Sequence, residues 1–132
     1  MSDADFTVVF DGGSIGNPGR GYGSYRLRPR GGAWSPAVRL EFGPRLTNNE
    51  AEYAALLAAL DAVAAAAANP DRVTLEVRGD SQLVINQLSG AWKVRSANLK
   101  PLHTRARAAL GRFGGVRLTW HRRSVSVDLL GH

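Results

Sequence analysis

The sequence contains no cysteine. That excludes disulfide bridges and thiolate metal sites, so any metal must be held by carboxylate, imidazole or backbone oxygen. Lysine is almost as scarce: only Lys93 and Lys100 stand among the 17 basic residues. No apolar run approaches the roughly 18 residues needed to cross a bilayer. The start, MSDADF, has neither the basic head nor the apolar centre of a secretory signal. A cytoplasmic protein without membrane contact is expected. Negative charge is also in the minority, with 11 acidic residues against 17 basic ones and a formal charge of +6. This balance favours a polyanionic partner. Arginine and alanine also accumulate together through biased base composition, as AVAAAAA at 62–68 illustrates.

With 132 residues, 44% of them hydrophobic, the chain can bury one core, so a single domain over 1–132 is expected. FTVVF at 6–10 reads as a strand. GYGSYRLR at 21–28 alternates Tyr22, Ser24 and Arg26 against Gly23, Tyr25 and Leu27, and AVRLEF at 37–42 makes a third strand. Short glycine and proline turns make a meander the simplest connection. From Thr47 the period becomes helical. Tyr53, Leu56, Leu57, Leu60 and Val63 form one stripe, Thr47 or Asn48 offers an N-cap, and Asn69-Pro70 a stop. RVTLEV reads as a strand, DSQLVINQLSG as a short helix ended by Gly90, NLKPLHTRARAALGRF as a longer helix and VRLTW as a last strand. The tail HRRSVSVDLLGH is expected to be loop with at most one helical turn. The order β-β-β-α-β-α-α-β implies an α/β mixed sheet with helices packed on it.

The scarce acids fall at telling places. Asp11 follows the strand TVVF and Asp80 follows TLEVRG, which puts two carboxylates at the C-terminal ends of strands, the edge where α/β sheets build sites. A strand-end aspartate also serves to cap the next turn or helix, a role that suits Asp80 before SQL better than Asp11 before Gly12-Gly13. Glu52 lies near the start of the first helix, one position before the apolar stripe. There the helix dipole favours any glutamate, Glu50 included. Asp128 stands alone in a basic and apolar tail. Carboxylates gathered together need a cation between them. Oxygen ligands alone point to magnesium or manganese, and two such ions would clamp the attacking water and leaving oxygen of a phosphodiester.

The glycines between Asp11 and Gly23 match neither rival phosphate motif. A P-loop needs Gly-Lys-Ser/Thr, and no lysine occurs before Lys93; Gly19-x-Gly21 runs on to Ser24 in a segment that reads as a strand, not a helix. A hairpin remains, either a bare tight turn or one whose backbone comes close to another molecule. A sugar-phosphate backbone with 2′-hydroxyls would suit such an approach.

Together, DGGSIGNPGRGYG, TNNEAEYAAL and RGDSQLVINQLSGAWKV resemble the type 1 ribonuclease H family, in order and with fitting spacing, from about Phe6 to Trp120. The resemblance is to the compact form without a basic protrusion, since GAWKVRSANLKPL passes directly into the next helix. It implies a five-stranded mixed sheet and endonucleolytic cleavage of the RNA strand of RNA/DNA hybrids with two Mg2+ or Mn2+ ions, leaving 5′-phosphate and 3′-hydroxyl ends. On that mapping Asp11, Glu52 and Asp80 are metal-binding carboxylates, with Glu52 chosen over Glu50 by its distance from the paired asparagines. Hybrid contacts fall on Gly12, Asn17, Asn48, Asn49, Ser81 and Gln82. A pocket for a DNA phosphate falls on Arg45 and Thr47 with Ser96, and Trp92 and Lys93 line the DNA-side groove; a buried Trp92 is the plainer alternative. The tail departs from the family pattern. Val127-Asp128 replaces the usual Ala-Asp, making Asp128 the fourth carboxylate, and Arg123, ahead of His121 and Arg122, takes the mobile role in product release. The implied partner is an RNA/DNA hybrid bound by a monomer, with double-stranded RNA as an alternative substrate. A shortened last helix suggests the rival reading, a hybrid-binding module with weakened or lost cleavage.

Overall fold

The computed structural model describes residues 3–131. Met1, Ser2 and His132, at the two ends of the expected domain, lie outside the described residues. Three strands, β1 (Phe6–Gly16), β2 (Gly19–Pro29) and β3 (Val38–Leu46), form an antiparallel meander, as their alternation requires. Helix α1 (Asn48–Ala66) crosses to β4 (Thr74–Gly79), with a single 3-10 turn at Pro70–Arg72 between them. Helices α2 (Gln82–Ser89) and α3 (Lys100–Leu110) lead to β5 (Gly115–Trp120), and α4 (Arg123–Leu130) follows. The sheet order is β3-β2-β1-β4-β5, with β4 parallel to both β1 and β5.

Helix α1 begins where its cap chemistry dictates. The Thr47 hydroxyl accepts from the Glu50 N–H at 3.1 Å, and the Glu50 carboxylate accepts from the Thr47 N–H at 2.9 Å. This reciprocal box satisfies two donors that the first turn would otherwise leave unpaired. Tyr53, Leu56, Leu60 and Val63 are fully or almost fully buried against Val8 and Phe10 of β1 and Leu75 and Val77 of β4. Each such side chain contributes about 1.5–3 kcal/mol by leaving water. The Ser81 hydroxyl caps α2 by accepting from the Val84 N–H, and Gly90 closes the helix at φ 86°, a left-handed conformation that glycine adopts without strain. Among the described residues, no helix is long and apolar enough to cross a membrane.

Two expectations change. The first strand does not stop before Asp11: β1 pairs with β2 from Phe6↔Pro29 through Asp11↔Ser24 to Gly16↔Gly19, and the turn falls at Asn17-Pro18. Only the parallel pairing ends earlier, at Phe10↔Gly79. The tail is not loop, because residues 123–130 form α4, with Ser126 and Leu130 buried one turn apart. A polar residue in the buried stripe hides the helical period, and the buried Ser126 hydroxyl is satisfied by the His121 ring, Nε2 to Oγ 2.7 Å.

Candidate active site

The parallel register builds the site. Phe10 stands opposite Gly79, the last pair of the parallel ladder, so Asp11, still within β1, and Asp80, just past β4, come side by side where the two strands part. Helix α1 brings the third acid by an unusually close approach to β1. A Cβ added to Gly12 would lie 2.4 Å from the Ala51 carbonyl oxygen and 2.6 Å from the Glu52 nitrogen. Only a residue without a side chain lets the strand and the helix meet there. The space at Gly12 is therefore filled by the protein's own helix, which seats Glu52 beside Asp11. One ligand oxygen from each of Asp11, Glu52 and Asp80 lies within 4.8 Å of the others.

Charge crowding has a clear signature. Burial, reinforced by the Asp80 charge and opposed by Arg123, pushes the Asp11 carboxyl up to about 6. Burial, with Asp11 and Asp80 adding to it, pushes Glu52 up to about 9. Glu52 Oε2 and Asp80 Oδ2 are buried without a hydrogen-bond partner. Arg123 Nη1 stands 3.7 Å from Asp80 Oδ2 at the cluster, with the arginine side chain two-thirds exposed. Buried, hard oxygen donors held close together and short of positive charge fit a divalent cation. Glu50 takes no part, since its carboxylate is spent on the α1 cap.

The remaining candidates divide by what their polar atoms already do. The Asn48 side-chain oxygen accepts from Ser14 N–H at 2.9 Å and the Ser14 hydroxyl at 3.1 Å, and that hydroxyl also lies against the Gly16 carbonyl. The Asn17 side-chain oxygen accepts from the Asn48 N–H at 3.0 Å. Both asparagines thus latch the β1–β2 hairpin onto the start of α1. Thr47 and Ser81 spend their hydroxyls as caps. Asn49 is half-buried on the first turn of α1; Gln82 is exposed on the first turn of α2, Arg45 on β3, and Trp92, Lys93 and Ser96 on the connection between α2 and α3. Trp92 is 46% exposed, so it is no core aromatic. Asp128 is exposed on α4 and stands outside the three-carboxylate group that the described residues form. Of the three tail candidates, Arg123 reaches Asp80, Arg122 is an exposed N-cap and His121 is buried, its ring held below the usual histidine range by burial and by Arg78.

Sequence reasoning missed one neighbour of the cluster. The Trp120 indole N–H donates to the Asp80 main-chain oxygen at 3.0 Å. Its place as the last residue of the final strand was the available signal, because β5 runs parallel to β4 and ends at the same edge.

Comparison with known proteins bears on the sequence and the fold. The family described as "Reverse transcriptase-like" matches residues 10–127. Ribonuclease HI of Halobacterium salinarum is 42% identical over 106 residues, covering 80% of this chain and 51% of the relative; the chain thus spans about half the length of that relative. The crystal structure of RNase H1 from the same archaeon superposes with a TM-score of 0.85 at 38% identity, over 95% of this chain and 92% of that one. LC11-RNase H1, solved in complex with an RNA/DNA hybrid, superposes with a TM-score of 0.85 at 26% identity, over 95% of this chain and 92% of the other. In sequence and in fold, the chain belongs to the type 1 ribonuclease H family.

Proposed function

We propose that this chain is a metal-dependent endoribonuclease that hydrolyses the RNA strand of RNA/DNA hybrids, leaving 5′-phosphate and 3′-hydroxyl ends. The observation that carries the reading is the trio Asp11, Glu52 and Asp80, with oxygens within 4.8 Å and a deficit of positive charge around them. These three would hold two Mg2+ or Mn2+ ions; bound there, such ions acidify an attacking water and stabilise a departing 3′ oxygen. Arg123 shares the charge of Asp80 in the free protein and, two-thirds exposed, is free to follow the leaving product. Asp128 is the fourth carboxylate in this reading, drawn in from α4. Gly12, Asn49, Ser81 and Gln82, each within three residues of a trio acid in the chain, would contribute main chain and polar side chains that read 2′-hydroxyls independently of base sequence. Asn17 and Asn48 support that surface by fixing the hairpin. Arg45, Thr47 and Ser96 take a DNA phosphate, and Trp92 and Lys93 line its groove. Arginines supply salt-sensitive affinity for the duplex.

A second reading has one observation in its favour. Asp128 is exposed and apart from the trio, as in a hybrid-binding module with weakened turnover. Cleavage of a labelled RNA/DNA hybrid with magnesium or manganese, beside single-stranded and duplex RNA, separates the two. Hybrid cleavage by wild type that Asp80→Asn abolishes supports the nuclease; binding by both proteins without product supports the module. Cleavage of duplex RNA in preference to the hybrid would overturn the substrate assignment.

A further inference from the structure

We propose that Trp120 is an aromatic platform for the ribose beside the scissile phosphate, a substrate contact that rests on the nuclease reading above. Three features carry it. The indole is anchored to the site itself, since its N–H donates to the main-chain oxygen of Asp80 at 3.0 Å. It is at the site's edge of the sheet, because Trp120 pairs with Gly79, the residue before Asp80. And the ring is 45% exposed although its polar atom is satisfied. A tryptophan with its N–H paired has no polar reason to stay in water, and its uncovered surface is apolar and flat.

Strand alternation sets which face it serves. Leu118, two residues earlier, packs against the core beneath the helices, so Trp120 stands on that same face, next to the start of α2 with Ser81 and Gln82. Arg123 meets Asp80 through its carboxylate while Trp120 holds its carbonyl. The aspartate is therefore flanked by a cation and an aromatic ring. One strand of a duplex advances about 3.4 Å per nucleotide. A phosphate resting on the carboxylates thus places a neighbouring sugar within reach of a ring anchored to Asp80. The sugar rather than the base is the partner, because bases inside a duplex are already stacked and unstacking them costs a few kcal/mol. Ribose edges, by contrast, face outward in the wide, shallow groove. The contact is consequently indifferent to sequence.

Fluorescence and affinity test this together. With Trp34→Phe and Trp92→Phe, Trp120 is the sole tryptophan, and saturation with an RNA/DNA hybrid in EDTA should shift or quench its emission. In the otherwise wild-type chain, Trp120→Leu should weaken hybrid affinity about fivefold, and Trp120→Phe, which keeps a ring, about twofold or less. Both effects should be alike for hybrids of different sequence. Unchanged emission at saturation, or a Trp120→Leu affinity equal to wild type, overturns the platform while hybrid cleavage by wild type leaves the nuclease reading standing. Should Trp120→Leu fail to fold, the emission titration decides alone. A wild-type chain that neither cuts nor binds the hybrid defeats the nuclease reading, and the platform with it.

Discussion

The corner between β1 and α1 and the tail around α4 hold their acids by opposite means. At the corner, Asp11 and Glu52 are 2% and 9% exposed, and Gly12 lets the helix touch the strand. In the tail, Asp128 is exposed on an eight-residue helix whose buried residues are Ser126 and Leu130. The first acid pair is placed by the core and cannot move without disturbing it. The second region is held by a histidine–serine contact, an arginine at the Asp80 carboxylate and Arg39, which donates to the Leu130 carbonyl at 3.3 Å. Rigid elements place charges against their mutual repulsion; a thin helix places one only as firmly as its few contacts allow.

Substitutions of the acids give the largest test of this contrast. Asp11→Asn or Glu52→Gln should lower hybrid cleavage on the order of 10³-fold, and Asp128→Asn markedly less, measured as single-turnover rates with saturating magnesium. Equal losses would place Asp128 on the same footing as the corner and erase the distinction. Next comes Gly12→Ala. Its methyl must displace the backbone of α1, so a destabilisation of about 1–3 kcal/mol is expected in urea titration, together with lost cleavage as Glu52 moves away from Asp11. In the tail, Ser126→Ala leaves the buried His121 Nε2 without its partner and should cost about 1–2 kcal/mol. Cleavage should then fall less than in Gly12→Ala, because the three carboxylates stay where the core holds them.

The last test is of stability as a function of pH. Asp11 and Glu52 titrate higher in the folded chain, at about 6 and about 9, than their ordinary values of 3.8 and 4.5. Over that span the folded state binds more protons than the unfolded one, so metal-free stability falls as pH rises through about 6 and on towards 9. Thermal melts in EDTA between pH 5 and 9 should show the decline. Glu52→Gln should flatten its upper part, and magnesium should oppose it. A flat wild-type profile would show that burial and the neighbouring charges do not hold the two carboxyls above their ordinary values.

Much of the corner is legible in the chain alone. A β-branched run ending in an acid, a change of period at Thr47 and a cap sequence are local signals, and local signals survive in a one-dimensional string. The choice of Glu52 over Glu50 is legible through family spacing, and its physical reason is that Glu50 is spent on the cap of α1. The glycines disclose less. At Gly12 the close neighbour is the protein's own helix, which no property of the hairpin sequence reveals. The tail defeats a periodicity reading because Ser126 is buried by means of a hydroxyl partner five residues away, so its stripe lacks the apolar period that announces a helix.

Residue identity and local periodicity were enough to settle most of the element types, the absence of thiolate chemistry and the short list of acids, since each of these is a property of a short stretch of chain. Which acids meet was a matter for the folded molecule, because convergence depends on register and close approach between elements distant in the chain. Phe10↔Gly79 puts Asp11 beside Asp80, and the bare backbone at Gly12 admits α1 with Glu52. Folding likewise set a tryptophan at the end of the last strand against Asp80, for parallel strands share an edge only once the sheet has formed.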